Sequence, residues 1–126
     1  MIVGDGDFRY ELQENWGKLP EYFEMSDPVD IAVDSRDRVY VGSRGNHPVL
    51  IFDRDGNFVS CWGEGVYEDP HGVCIGPDDS VYITDRAVNI VDKCTPGGDR
   101  LMTLGERHIH EPIAARRPFN QPPEPC

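Results

Sequence analysis

The sequence predicts an all-β fold of two consecutive four-stranded antiparallel units, and three observations carry that reading. Shifted by 42 residues, the chain aligns with itself without a gap. Clusters of Asp, Asn, Gly and Pro divide each unit into four short segments. No stretch shows the apolar period of a helix.

The repeat comes first, because it decides the architecture. Asp27-Pro28 aligns with Asp69-Pro70, Ile31-Ala32-Val33 with Val73-Cys74-Ile75, and Val39-Tyr40-Val41 with Val81-Tyr82-Ile83. Val49 then falls on Val91, Asp53-Arg54-Asp55-Gly56 on Thr95-Pro96-Gly97-Gly98, and Trp62-Gly63 on Leu104-Gly105. In the first unit the strands are expected at about Val29–Val33, Arg38–Gly42, Val49–Phe52 and Asn57–Trp62. The breaks at Asp34–Asp37, Arg44–Pro48 and Asp53–Gly56 hold residues that tolerate positive φ or bond their own backbone. Four strands in just over forty residues is the size of a propeller blade.

The expected organisation is an N-terminal segment (1–26), a first blade (27–68), a second blade (69–110), and the start of a third with a proline-rich tail (111–126). Phe8–Trp16 leads into Trp16-Gly17 as Asn57–Trp62 leads into Trp62-Gly63, so it is expected to be an outer strand of a ring's closing blade. Pro122 falls where Pro28 and Pro70 stand, but Pro118, Pro122, Pro123 and Pro125 make a poor strand ladder. A blade buries its two faces only against neighbours, and two blades do not close a ring. Both ends therefore predict a partial propeller with open faces.

Composition limits the partners. The 126 residues are 38% hydrophobic and carry a formal net charge of −11, which repels nucleic-acid phosphates and anionic lipid. No apolar run reaches membrane-spanning length. The start MIVGDGDFRYELQ has neither the basic nor the apolar region of a secretory signal. Cys61, Cys74, Cys94 and Cys126 contain no C-x-x-C pair. A cytoplasmic location with reduced thiols is the expectation.

Gly45-Asn46-His47 ahead of Pro48–Phe52 resembles the signature loop of NHL repeats. Within that superfamily, Ser43-Arg44-Gly45-Asn46-His47 followed by Pro70-His71-Gly72-Val73 resembles the peptidylamidoglycolate lyases, and Met1–Pro20 is similar to the start of bacterial relatives. The resemblance runs to about Pro122 and is lost over Pro123–Cys126. It implies the N-terminal fragment of a six-bladed propeller that cleaves peptidyl-α-hydroxyglycine to a peptide amide and glyoxylate. It also implies a catalytic zinc in the central channel and a structural calcium. By the same resemblance His71 matches a zinc-ligating histidine, Arg44 an active-site arginine, and Ile31 and Val73 positions whose backbone carbonyls hold the calcium.

The residues themselves qualify that picture. Val29 stands at the repeat position of His71, so a blade does not need an imidazole there. A catalytic zinc takes about three protein ligands, and one histidine is not a site. Arg86 occupies the repeat position of Arg44, so a loop arginine competes with a substrate contact, although a guanidinium suits a carboxylate leaving as glyoxylate. The lyases' catalytic tyrosine, second arginine and other two zinc histidines have no counterpart here. His47 is assigned to the repeat signature, His108 and His110 to a solvated loop, and Asp78, Asp79 and Asp85 to turns. Three functions are expected: a lyase-related fragment inactive as a lone chain; a non-catalytic NHL module binding a protein through an open blade face; or a homotrimer closing a six-bladed ring with three His71 on its axis.

Overall fold

The computed structural model describes residues 1–107. His108, His110 and the expected third blade over 111–126 lie outside the described residues.

The fold is all-β, as expected, with no helix among the described residues. Strands β1 (Ile2–Asp5) and β2 (Phe8–Glu11) form an antiparallel hairpin, exposed along both strands. Strands β3 (Pro28–Val33), β4 (Val39–Ser43), β5 (Val49–Phe52) and β6 (Phe58–Trp62) form one four-stranded antiparallel sheet in chain order. Strands β7 (Pro70–Ile75), β8 (Val81–Asp85), β9 (Ile90–Cys94) and β10 (Arg100–Leu104) form a second with the same order. Each is a blade.

Turn chemistry explains why the chain breaks where it does. The buried Asp34 carboxylate accepts the backbone N–H of Arg36 and Arg38 at 2.8 and 3.0 Å, closing the β3–β4 turn. Asp53 does the same for Asp55 and Asn57 between β5 and β6. Asp37 and Asp79, 42 residues apart, both adopt left-handed backbone, with φ of 61° and 62°. Bulges recur at the same offset, between Pro28 and Asp30 and between Pro70 and Gly72. The backbone therefore repeats even where the side chains differ.

The main core lies between the blades. Tyr40, Val49, Ile51, Trp62 and Tyr67 of the first unit meet Val73, Val81, Ile83 and Cys94 of the second. The Trp62 indole donates to the Pro96 carbonyl at 3.0 Å. Gly98 lets the ring come that close: a Cβ there would stand 2.6 Å from it.

A second core covers the other face of the first blade. Val39, Val41, Leu50 and Phe52 pack beneath Trp16, Leu19, Phe23 and Met25 of the N-terminal segment. The Trp16 indole donates to the Arg54 carbonyl at 3.2 Å, and the Lys18 N–H to the Gly56 carbonyl at 2.8 Å. Arg54 and Pro96 are 42 residues apart, so Trp16 meets the first blade as Trp62 meets the second. Among the described residues no helix is long and apolar enough to cross a membrane.

Candidate functional site

The candidate residues gather at the end of the blades where β3 and β7 start and β4 and β8 finish. Register sets this rim, with Pro28 opposite Ser43 and Pro70 opposite Asp85. Asp85, 1% exposed, accepts the N–H groups of Glu68, Asp69 and Ala87 at 2.7, 3.2 and 3.0 Å, which fixes the connection entering β7. Arg44 and Arg86 donate their backbone N–H to the carbonyls of Asp27 and Asp69, again 42 residues apart.

The side chains of both arginines converge on one carboxylate. Arg86 grips Asp69 Oδ2 with Nε at 2.9 Å and the terminal nitrogen at 2.7 Å. Arg44 Nε lies 2.8 Å from Asp69 Oδ1. Asp69 thereby ties the rim of the first blade to that of the second. Its burial opposes ionisation, but the Arg86 hydrogen bond and charge, then Arg44, outweigh it and hold the carboxyl below its ordinary value.

His71 is placed differently. It stands on β7, exposed, and lines an open cavity of about 500 Å³ with Thr84, Asp85, Arg86, Asn89 and Val91. Among the described residues no hydrogen bond or ion pair holds its imidazole. The nearby Asp85 carboxylate is already committed to three N–H groups. At this cavity the described residues therefore offer one donor without a partner, His71, and do not fit a catalytic zinc, which takes about three protein ligands and an open position.

Ile31 and Val73 occupy the same repeat position on the innermost strands β3 and β7, which pack side by side. A carboxylate already links them: Asp30 accepts the Ile31 N–H on Oδ1 and the Val73 N–H on Oδ2, each at 2.9 Å. Gly72, the repeat counterpart of Asp30, lies beside that carboxylate: a Cβ there would meet Asp30 Oδ2 at an ordinary contact distance of 3.7 Å and Thr84 Oγ1 more tightly at 3.0 Å.

His47 is buried in the second core, stacked on Phe23 with ring centroids 4.1 Å apart. His47, Cys61 and Glu64 bring donor atoms within 4.8 Å of one another. Cys61 is disulfide-bonded, against the expectation of reduced thiols, so its sulfur is not the thiolate a metal would need. Cys74 and Cys94 are free.

Sequence reasoning missed Asp30, Asp69 and Asp92. Asp92, wholly buried on β9, accepts the Tyr67 hydroxyl at 3.2 Å and the Thr103 hydroxyl at 2.5 Å, with an Arg107 nitrogen 3.8 Å away. Its repeat counterpart Leu50 was the available signal: an acid where the other blade has leucine needs partners.

No known family profile matches the chain. NHL repeat-containing protein 3 of Homo sapiens is 36% identical over 106 residues, 76% of this chain and 30% of that protein. Protein lin-41 of Caenorhabditis elegans is 54% identical over 37 residues, 29% of this chain and 3% of that protein. Peptidyl-alpha-hydroxyglycine alpha-amidating lyase 1 of Drosophila melanogaster is 42% identical over 48 residues, 36% of this chain and 9% of that protein. The matched segments span less than a third of each of these relatives.

Proposed function

We propose that this chain, a section of an NHL-repeat β-propeller, builds part of a channel mouth of the peptidyl-α-hydroxyglycine lyase type, contributing His71 but no complete catalytic set. One observation carries the reading. His71 is an exposed, unengaged imidazole at the start of an innermost strand, where the other blade has Val29. The partial match to the Drosophila lyase supports it. Arg44 would be this chain's substrate contact, provided it exchanges Asp69 for a substrate carboxylate. No reaction step is assigned to the chain alone, because the described donors do not complete a zinc site.

The test is zinc titration of the purified chain and its His71→Ala variant, alongside glyoxylate release from a peptidyl-α-hydroxyglycine. The expected result is weak zinc binding that disappears in the variant, with no turnover by either protein. Turnover by the lone chain overturns the inactive assignment, and zinc binding unchanged by the substitution overturns the role of His71.

A second reading, a non-catalytic NHL module that binds a protein, is favoured by the Arg44–Asp69–Arg86 clamp. The clamp employs both repeat arginines within the fold. A chain that binds no zinc yet retains a protein partner through its rim would favour this reading.

A further inference from the structure

Away from the rim, one cluster of donor atoms is not repeated between the blades. His47 lies in the β4–β5 connection, and Cys61 and Glu64 flank the end of β6. Register brings them together: Val49 pairs with Trp62, so two residues further out His47 stands opposite Glu64. Gly63, at φ +94°, turns the chain there and sets Glu64 beside Cys61. Forty-two residues on, the same positions hold Asn89, Thr103 and Glu106, so a blade needs neither the imidazole nor the sulfur. The repeat signature accounts for a histidine in this loop, and Phe23 for its stacking. Neither accounts for a sulfur and a carboxylate that meet at its Nδ1.

The spacing of these atoms is that of a metal site. His47 Nδ1 lies 3.4 Å from Glu64 Oε1 and 3.7 Å from Cys61 Sγ, and Cys61 Sγ lies 3.0 Å from Glu64 Oε1. Ligands at the bond lengths of zinc and at tetrahedral angles stand about 3.3–3.6 Å apart. Two edges therefore already match a tetrahedral face, and the third needs to open by about 0.5 Å. The charges match as well. A thiolate and a carboxylate cancel a divalent ion, as a pocket with His47 4% and Cys61 8% exposed requires. Sulfur, imidazole and carboxylate together suit zinc.

The bond that Cys61 makes keeps this site shut, because a disulfide sulfur is not a thiolate. We infer that reduction of the Cys61 disulfide opens a zinc site made of His47, Cys61 and Glu64, with a fourth position for water. A dithiol supplies the two electrons and two protons: the S–S bond breaks, both protein sulfurs become thiols, and the dithiol leaves as its own disulfide. Zinc then displaces the Cys61 proton and bonds the thiolate. The site is separate from His71, and zinc titration of the disulfide form reads His71 alone.

Cobalt titration tests this, because a cobalt–thiolate bond adds an intense near-ultraviolet absorption band that imidazole and carboxylate do not. The 126-residue chain is reduced with a dithiol and freed of it without oxygen, while circular dichroism follows the sheets. The reduced wild type is expected to bind one equivalent of cobalt with the band and to exchange it for zinc, and the disulfide form to show no band. His71→Ala and Cys74→Ser should keep the band and Cys61→Ser should lose it. Glu64→Gln should weaken zinc binding about tenfold or more. A reduced wild type without the band overturns the inference. So does a band that survives Cys61→Ser, disappears with His71→Ala or Cys74→Ser, or is already present in the disulfide form. An affinity that Glu64→Gln leaves unchanged, or sheets that melt on reduction and are not restored by zinc, overturns it equally.

Discussion

Replacing Tyr67 with Phe and Asp92 with Leu, singly and together, isolates the buried polar network that distinguishes the second blade from the first. In the first blade the equivalent volume is apolar, with Leu50 fully buried and Phe23 packed on the same cluster. Tyr67→Phe leaves the wholly buried Asp92 carboxylate one donor short, which costs about 1–3 kcal/mol. Asp92→Leu strands the phenol hydroxyl, whose remaining partner is the weak acceptor Cys94 Sγ at 3.5 Å. It also removes the charge opposite Arg107, so about 2–4 kcal/mol is expected. The double variant removes the phenol–carboxylate pair together, so its loss should be about 1–3 kcal/mol smaller than the sum of the single losses. It stays below wild type because the Thr103 hydroxyl and Arg107 lose their acceptor. Burial next to Cys94 and Asp92 pushes the Tyr67 phenol far above its ordinary value, so it stays protonated and donates throughout the accessible pH range. Urea unfolding of the four proteins, with equal slopes as the control, gives the cycle. Single effects that add to within about 0.5 kcal/mol would show that these residues do not act as one unit.

Asp69→Asn tests the rim clamp. The folded-state value of Asp69 is depressed, so its stabilisation is complete above the unfolded value of about 3.9 and is lost as pH falls through the folded value. Thermal melts should separate wild type from Asp69→Asn at neutral pH and converge below about pH 4; a constant gap refutes the clamp. Gly56→Ala places a Cβ 1.8 Å from the Trp16 carbonyl at φ +82°, so it should cost about 1–3 kcal/mol and red-shift Trp16 emission as the N-terminal segment lifts. His71→Ala should leave the unfolding midpoint unchanged within about 0.5 kcal/mol, since nothing in the described fold leans on that imidazole; a larger loss assigns it a structural role.

The architecture was legible because it rests on local chemistry. Asp53-Arg54-Asp55-Gly56 and Thr95-Pro96-Gly97-Gly98 share little beyond turn-forming residues, yet both build the same hydrogen-bonded turn, with Gly56 and Gly98 at positive φ. The four strands of the first blade fell within a residue of their expected positions, whereas the strand expected over Phe8–Trp16 stops at Glu11 and pairs with β1. The polar contacts across the blade boundary were not legible, because they depend on which side chains meet after packing. Nothing in the sequence ties Asp30 to the Val73 N–H, 43 residues away, or brings both Arg44 and Arg86 to Asp69. Asp30 joins Ile31 and Val73 through their amides, a contact separate from the carbonyls that the resemblance marked.

The two blades act as controls for each other, and that comparison bears most directly on function. Arg44 and Arg86 share a repeat position, the same backbone hydrogen bond and the same carboxylate, so a structural account covers both. Asp92 differs from Leu50, but Tyr67 and Thr103 satisfy it, so that difference too is absorbed by packing. Asp30 differs from Gly72 and is absorbed by the Val73 N–H. His71 differs from Val29, and within the described residues nothing absorbs it: an aliphatic position has become an exposed imidazole without a partner. An imidazole without a structural task on an innermost strand is available for a ligand. That asymmetry makes His71, rather than the more conspicuous arginines, the residue on which a functional assay should begin.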